Sequence, residues 1–109
     1  MKKYTFRKRE HLLKERDFER LLKNGERSGN SLMTVYLLPN ELAYSRLGII
    51  VAKKRVRKSN KRNYIKRLVR EAYRLNKSFL PKKHDIIINI KQAEGLTLKA
   101  VVDNLLGLI

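Results

Sequence analysis

The segment from residue 58 to residue 74 limits what this chain can fold into more than any other stretch. Read as a helix at about 100° per residue, it separates into an apolar face and a cationic face. One face can bury against a sheet while the other stays in water. The apolar face contains Ile65, Leu68, Val69, Ala72 and Tyr73. The cationic face contains Asn63, Lys66, Arg67, Arg70 and Arg74, with Arg62 near its boundary.

Positive charges recur every four residues along this cationic face, and each such pair destabilises a helix by a few tenths of a kcal/mol. Glu71 is the only acidic residue between Glu41 and Asp85. An ordinary solvated helix mixes both signs of charge, so this face predicts a binding site for a polyanion. Arginine suits that role, because its planar guanidinium donates two parallel hydrogen bonds to phosphate oxygens.

The excess of positive charge extends over the whole chain. The 109 residues contain 27 Lys and Arg against 10 Asp and Glu, which gives a formal charge of +17 at pH 7. This length predicts a single domain, residues 1–109, and an apolar content of 42% predicts a packed core. Such an imbalance favours a nucleic-acid partner.

The first residues are basic, but no apolar segment follows them, so they do not form a secretory signal. Residues 1–10 are instead expected to form a flexible basic arm. No part of the chain reaches the roughly 18 apolar residues of a membrane span, so no membrane partner is expected. The absence of cysteine excludes disulfides and thiolate metal sites and fits a cytoplasmic protein.

Hydrophobic periodicity and turn residues predict three helices and three strands. The helices span about residues 15–23, 58–74 and 97–106, and the strands span about residues 31–38, 46–52 and 84–91. Residues 25–30 are predicted to form a loop, and the first two strands are expected to form a hairpin. The order α-β-β-α-β-α predicts an α+β fold, an α/β sandwich in which helices pack on a small mixed sheet.

The third strand contains three consecutive isoleucines, Ile86 to Ile88, which predicts burial on both faces of the sheet. If the second and third strands are parallel neighbours, the basic helix is a crossover connection. General rules would make such a crossover right-handed.

A self-sufficient catalytic site is poorly supported. A two-metal nuclease needs converging carboxylates, whereas the acidic residues here are scattered. His84 and Asp85 are neighbours in a strand, so their side chains point to opposite faces. His11 stands alone near the basic arm, and the chain has no glycine-rich phosphate loop.

Two aromatic residues lie near basic segments and are candidates for stacking on unpaired bases. Phe18 fits core packing with Leu21 and Leu22 equally well. Tyr36 shares a strand face with Thr34, a more polar setting, which favours exposure of its ring.

The sequence Lys-Arg-Asn-Tyr-Ile-Lys-Arg-Leu-Val-Arg-Glu at residues 61–71 resembles the signature of the protein subunit of bacterial ribonuclease P. That signature is an Arg-Asn-Arg core followed by hydrophobic-Lys-Arg and a further Arg. Leu13-Lys14 followed by Asp17-Phe18 resembles the first helix of the family. The segment 47–54 resembles its glycine-containing strand, which ends in paired lysines. The resemblance covers about residues 7–106.

The resemblance implies a function and a fold. The family binds a large catalytic RNA and helps it to remove the 5′ leader from precursor tRNA, so the chain would be a subunit of an endoribonuclease. The RNA performs the hydrolysis with bound Mg²⁺, and no metal is expected on the protein alone. No protein partner is required. The family has a ribosomal-protein-like fold with a left-handed βαβ crossover, which replaces the general expectation of handedness.

The resemblance also implies two groups of site residues. Residues expected to contact the catalytic RNA are Lys54, Arg55, Lys61, Arg62, Asn63, Tyr64, Lys66, Arg67, Arg70 and Arg74. Residues expected to line a cleft for the single-stranded leader are Phe18, Leu22, Tyr36 and Lys53. This chain departs from the family pattern at two of them. Tyr64 replaces the second Arg of the signature core, and Leu22 stands where the family often has a second aromatic residue.

Two other functions fit part of the pattern. A structural protein that binds ribosomal RNA would have the same composition and order of elements, and only the signature and the cleft residues separate it from a ribonuclease P subunit. A binder of double-stranded DNA would also display a basic helix with an apolar back. Competition of RNA against DNA at fixed salt would distinguish the latter.

Overall fold

In the computed structural model, which describes residues 7–109, helices pack on both faces of a four-stranded sheet. The helices are α1 (Glu15–Asn24), α2 (Ser59–Leu75) and α3 (Leu98–Leu108). The strands are β1 (Glu26–Gly29), β2 (Met33–Pro39), β3 (Arg46–Val51) and β4 (His84–Ile90). Short 3₁₀ turns lie at Lys8–Glu10 and Lys77–Phe79. This architecture confirms the predicted α+β class.

The strand order in the sheet is β1-β2-β4-β3. β4 is antiparallel to β2 and parallel to β3, so α2 is the crossover between two parallel neighbours. The expected hairpin between β2 and β3 is wrong, because β4 lies between them. Ile86, Ile87 and Ile88 are each at most 1% exposed. A strand buried on both faces takes the interior of a sheet, and this displaces β2 and β3 from each other.

The structure contains a strand, β1, where the sequence predicts a loop. Its residues Glu26–Gly29 include no apolar side chain, and most of them are exposed. β1 exists because its backbone pairs with β2, from Glu26 opposite Leu37 to Gly29 opposite Thr34. Pairing of this kind leaves no hydrophobic pattern in the sequence.

The two faces of the sheet have separate cores. Successive strand residues point to opposite faces, so one face is lined by Val35, Leu47, Ile86, Ile88 and Ile90 and packs against α2 and α3. The other face carries Ile87, which packs with Leu12 and with Leu21 of α1. The larger core therefore supports the basic helix, and the smaller core lies beneath α1.

Helix α2 buries the predicted apolar face. Ile65, Val69, Ala72 and Tyr73 are at most 2% exposed, whereas Leu68 is half-buried. At 17 residues this is the longest helix in the described part of the chain. No helix among residues 7–109 has both the length and the apolar character needed to cross a bilayer.

Part of the segment expected to be a flexible arm has regular structure, and its flexibility stays a prediction. Residues 1–6 lie outside the described residues. Lys8–Glu10 form a 3₁₀ turn, and the Glu10 carboxylate is buried and accepts a 2.6 Å bond from Lys77 Nζ. Leu12 then donates its N–H to the Leu47 carbonyl at 2.8 Å along the outer edge of β3. This buried ion pair and edge pairing fix the segment in place.

Candidate nucleic-acid interface

Helix α2 presents most of the predicted RNA-contacting side chains outward. Lys61, Asn63, Tyr64 and Arg67 are exposed. Lys66, Arg70 and Arg74 are half-buried along the flanks of the same face. Lys54 and Arg55 are exposed in the segment that joins β3 to α2, residues 52–58, here called the connector. The helix and the connector therefore form one continuous basic surface.

Very little of this positive charge is neutralised within the protein. Within residues 7–109, Arg74 is the only cation of α2 or the connector with a carboxylate within 4.0 Å, and its partner is Glu71. The helix also begins without a side-chain cap or an acid in its first turn, so the positive end of its dipole adds to the field. This surface has the electrostatic character of a polyanion site, with Arg74 as its weakest contributor.

Two of the predicted RNA-contacting arginines hold the connector in place. Arg62 Nη1 donates hydrogen bonds to the Val56 carbonyl at 2.9 Å and to the Arg57 carbonyl at 2.8 Å. Arg55 Nη1 donates to the Lys91 carbonyl, just after β4, at 3.0 Å. These bonds order a segment that contains several lysines and arginines. Arg62 and Arg55 thus act on this surface partly by positioning the backbone that carries other cations.

Three of the predicted cleft residues lie around the opposite face of the sheet. Phe18 of α1 is half-buried and packs in the same cluster as Tyr36, which is also half-buried. A Cβ atom at Gly48 would lie only 2.5 Å from Phe18 Cζ, so the glycine allows the ring to rest on the strand. Leu22 is 43% exposed on α1. Phe18 therefore both packs in the core and shows part of its ring, and Tyr36 is less exposed than expected.

Lys53, the fourth predicted cleft residue, lies in the connector and is exposed. It follows the end of β3 rather than standing in the row of residues beneath Phe18. The connector therefore begins at the end of the sheet where β3 and β4 both finish, whereas Phe18 rests on Gly48, three residues before the end of β3.

Three polar residues outside the predicted set lie on the face of Tyr36 or at the end of β4. Arg27 of β1 is in register with Tyr36 and so shares its face. Asn89 is paired with Thr34 and Ile50 and lies two residues beyond Ile87 on that same face. Lys91 follows directly after β4. Asn89 could have been found as a polar interruption of the isoleucine run, but Arg27 fell in a segment predicted to be a loop.

The carboxylates and imidazoles do not come together at this surface. In the part of the chain that the structure describes, no group of three or more His, Cys, Asp or Glu side chains is placed to hold a metal ion. Asp85 is engaged by Arg46 and Asn40, and His84 Nδ1 lies 2.8 Å from the Lys82 carbonyl. The surface offers cations and aromatic rings to a ligand.

Comparison with known proteins identifies the family. A family model described as Ribonuclease P matches residues 6–109, nearly the whole chain. The chain belongs to the ribonuclease P protein family. A ribonuclease P protein component from Thermotoga sp. (strain RQ2) is 44% identical over 84 residues, covering 77% of this chain and 71% of that protein. Another from Syntrophus aciditrophicus is 41% identical over 91 residues, covering 84% and 76%.

Solved structures of ribonuclease P proteins share the fold. The RNase P protein from Thermotoga maritima is 36% identical with a TM-score of 0.81, covering 91% of this chain and 94% of that chain. The RNase P protein of Staphylococcus aureus is 33% identical with a TM-score of 0.80, covering 91% of each chain. The resemblance of residues 61–71 to the ribonuclease P signature is therefore confirmed at the level of the family.

Tyr64 is the main departure of this ribonuclease P protein within the signature helix. Its side chain is 53% exposed, on the outward face beside Asn63 and Arg67. The ring is therefore accessible, and α2 has one cation fewer there than the signature provides.

Arg70, in the same signature, faces the beginning of the described chain. Burial, and then the positive charge of Arg70, lower the pKa of His11, which is bridged to Leu47 at the outer edge of β3. Within residues 7–109, Arg70 has no carboxylate within 4.0 Å. The position of Arg70 near His11 places one flank of the basic face directly beside the edge of the sheet.

Proposed function

We propose that this chain is the protein component of a ribonuclease P ribonucleoprotein and that it binds the catalytic RNA through α2 and the connector. The observation that carries the proposal is the row of cations on this surface that have no carboxylate partner in the described structure. The expected contacts are Lys54, Lys61, Asn63, Tyr64, Lys66, Arg67 and Arg70, with Arg55 and Arg62 ordering the connector and Arg74 contributing least.

The mechanism is electrostatic. Folding of a large RNA crowds phosphates together, and cations at the crowded positions lower the free energy needed to assemble that fold and its metal sites. Each neutralised phosphate releases counterions, so affinity falls with salt at a log–log slope of about −0.7 to −0.9 per contact.

The cleft between α1 and the sheet supports binding of the single-stranded leader of precursor tRNA. Phe18 and Tyr36 offer rings on which bases can stack, and a stack of this kind contributes about 1–3 kcal/mol. Leu22 can pack but offers no ring, which weakens this part of the cleft. Contacts to the leader favour precursor tRNA over mature tRNA.

Hydrolysis belongs to the RNA in this proposal. Among residues 7–109, no group of three or more His, Cys, Asp or Glu side chains is placed to hold a metal ion, and Mg²⁺ is held mainly by the RNA. The complex is an endoribonuclease that produces the mature 5′ end of tRNA in the cytoplasm, with no further protein partner required. The alternative, a structural protein of ribosomal RNA, is not favoured by the family match.

A reconstitution experiment tests the proposal. Purified protein is combined with the ribonuclease P RNA of the same genome and with precursor tRNA at low magnesium. We expect cleavage at the mature 5′ end with RNA and protein together and none with protein alone, and we expect tighter binding of precursor than of mature tRNA.

A pair of matched variants makes the test specific to the surface. Arg67→Ala should reduce the salt slope of RNA binding by about 0.7–0.9, the loss of one phosphate contact. Lys82→Ala removes an exposed cation just before β4, outside the proposed surface, and should leave the slope unchanged. Cleavage by RNA-free protein, or equal effects of the two substitutions, would contradict the proposal.

A further inference from the structure

The segment before α1, residues 7–12, extends from the end of α2 to the cleft beneath α1 and is called here the strap. Within it, Glu10 is paired with Lys77, 67 positions away along the chain and just after α2. Two residues later, Leu12 is buried in the smaller core, in the same cluster as Phe18. The strap therefore connects the helix of the basic surface with the aromatic ring of the cleft.

The Glu10 carboxylate fixes one end of the strap. The residue is only 5% exposed, and its two oxygens accept from Lys77 Nζ at 2.6 Å and from the Arg7 N–H at 3.2 Å. Burial, and then the negative charge of Glu10, raise the pKa of Tyr73 to about 12, which places the carboxylate beside the buried end of α2. A buried carboxylate is strongly destabilised when it loses its cationic partner, so the ion pair favours a single position of the strap.

The position of Lys77 is set by the end of α2. Asn76 follows the last residue of the helix and donates its N–H to the Tyr73 carbonyl at 3.2 Å and its Nδ2 to the Ala72 carbonyl at 2.9 Å. Ala72 and Tyr73 are at most 2% exposed in the larger core. Lys77 comes directly after this cap, so its side chain leaves a backbone that the packed helix holds in place.

Leu12 and Phe18 share one site on β3. A Cβ atom at Gly48 would lie 2.5 Å from Phe18 Cζ and 3.3 Å from Leu12 Cδ2, so the two side chains lie next to each other over that glycine. The bond of 2.8 Å from the Leu12 N–H to the Leu47 carbonyl sets the position of Leu12 along the strand. Leu12 is only 3% exposed and restricts the positions that the half-buried ring of Phe18 can take.

We propose that Glu10 and Lys77 are positioning residues for binding of the leader: their ion pair holds the strap, and Leu12 of the strap holds the Phe18 ring where a base can stack on it. The inference rests on the proposed function and adds two residues outside the signature and the cleft. Glu10 acts through Leu12 and Phe18, since a buried carboxylate neither reaches nor attracts a phosphate.

Glu10→Gln tests this role in the reconstituted ribonucleoprotein, with a precursor tRNA that carries a long leader and with mature tRNA as the reference. The substitution makes the protein more positive, so a general electrostatic effect would tighten RNA binding. Loss of positioning should instead weaken binding of the precursor about five-fold, the lower end of what one base stack contributes. The KM for the precursor should rise by the same factor with kcat unchanged, and affinity for mature tRNA should not fall.

Asp103→Asn is the matched control. It changes the charge of the protein by the same amount and removes an ion pair with Lys99, 3.0 Å long, from the exposed face of α3. Binding of the precursor should not weaken in this variant. Equal effects of Glu10→Gln and Asp103→Asn, or equal weakening of precursor and mature tRNA by Glu10→Gln, would overturn the positioning role.

A double-mutant cycle tests whether the strap acts through the ring. In the Phe18→Ala background, Glu10→Gln should cause no further loss of precursor binding, whereas additive losses would overturn the proposal. If Glu10→Gln unfolds the protein, Lys77→Met probes the same pair from its more exposed side, again as the difference between precursor and mature tRNA. If Phe18→Ala alone leaves precursor binding intact, the proposed leader site fails. A loss in Phe18→Ala with none in Glu10→Gln refutes only the positioning role.

Discussion

The two ends of strand β4 differ in whether the cations around them are paired with a carboxylate. At its beginning, Asp85 is only 1% exposed and gathers Arg46, Arg20 and Asn40. At its end, Lys91 lies among cations that have no carboxylate partner in the described structure. The comparison separates cations that hold the fold together from cations that are available for a ligand.

Both carboxylate oxygens of Asp85 accept hydrogen bonds from neighbouring side chains. Arg46 donates from Nε at 2.8 Å and from Nη2 at 2.6 Å, and Asn40 Nδ2 donates at 2.9 Å. Burial by itself raises the pKa of the Asp85 carboxyl, but the hydrogen bonds from Arg46 and Asn40 and the nearby guanidinium charges outweigh it. The pKa of Asp85 therefore lies below its usual value.

The largest effect on stability is expected when the ion pairs of Asp85, at the beginning of β4, are removed. Asp85→Asn keeps the shape of the side chain but removes the anion, and it leaves the partly buried Arg46 with only Asp17, at 3.6 Å, as a counter-charge. The free energy of unfolding should fall by about 2–3 kcal/mol, since Arg46 and Arg20 retain some access to water. Chemical denaturation measures this loss, and a change below 0.5 kcal/mol, roughly the size expected for surface substitutions, would contradict the role given to Asp85.

The same variant should also differ from the wild type in how its stability depends on acid pH. Asp85 has a lower pKa in the folded than in the unfolded protein, so its contribution is complete above the unfolded value of about 3.9 and is lost as pH falls through the folded value. Wild-type stability should decline below about pH 4, and the Asp85→Asn protein should show a shallower decline. Parallel curves for the two proteins would contradict the assignment.

A smaller effect on stability is expected for Arg62, which shares features of both types of cation. Arg62 belongs to the basic surface but bonds the Val56 and Arg57 carbonyls, as a structural cation does. Arg62→Met should lower the unfolding free energy by about 1 kcal/mol. It should also reduce the salt slope of RNA binding by more than one contact, because the connector loses its order. Arg67→Ala is the control that removes a single contact, and equal slopes for both variants would mean that Arg62 only binds phosphate.

The smallest effect on stability is expected when an acidic residue is added to the basic face of α2. Asn63→Glu supplies α2 with an acid four residues before Arg67, which should stabilise the isolated protein by about 0.2–0.5 kcal/mol. RNA binding should weaken, because one cation becomes paired and a negative charge is added. Asn63→Gln is the neutral control. A variant that gains stability and keeps full RNA affinity would show that this face of α2 does not meet RNA.

The sequence predicts those parts of the molecule that depend on periodic burial. The apolar stripe of α2 and the isoleucines of β4 each appear in the structure as expected. Thr97 begins α3 as its N-cap, accepting from the Ala100 N–H, next to the predicted start of that helix. These elements are determined by which side chains leave water, and that pattern is local.

The remaining features depend on contacts between distant segments. β1 pairs through its backbone, and the separation of β2 from β3 arises because β4 enters between them. Arg62 and Arg55 look like any other basic residues in the sequence, since their bonds to carbonyls follow from the path of the connector.

The contact between Phe18 and Gly48 has a consequence for the entropy of binding. With no side chain at Gly48, the Phe18 ring lies against bare backbone and is restricted as soon as the sheet and α1 have folded. Immobilising a mobile side chain at an interface costs about 0.5–1.5 kcal/mol. If a base stacks on this ring, as proposed, the ring is already restricted by the fold, and the entropy cost of ordering it belongs to folding of the protein rather than to binding of the leader.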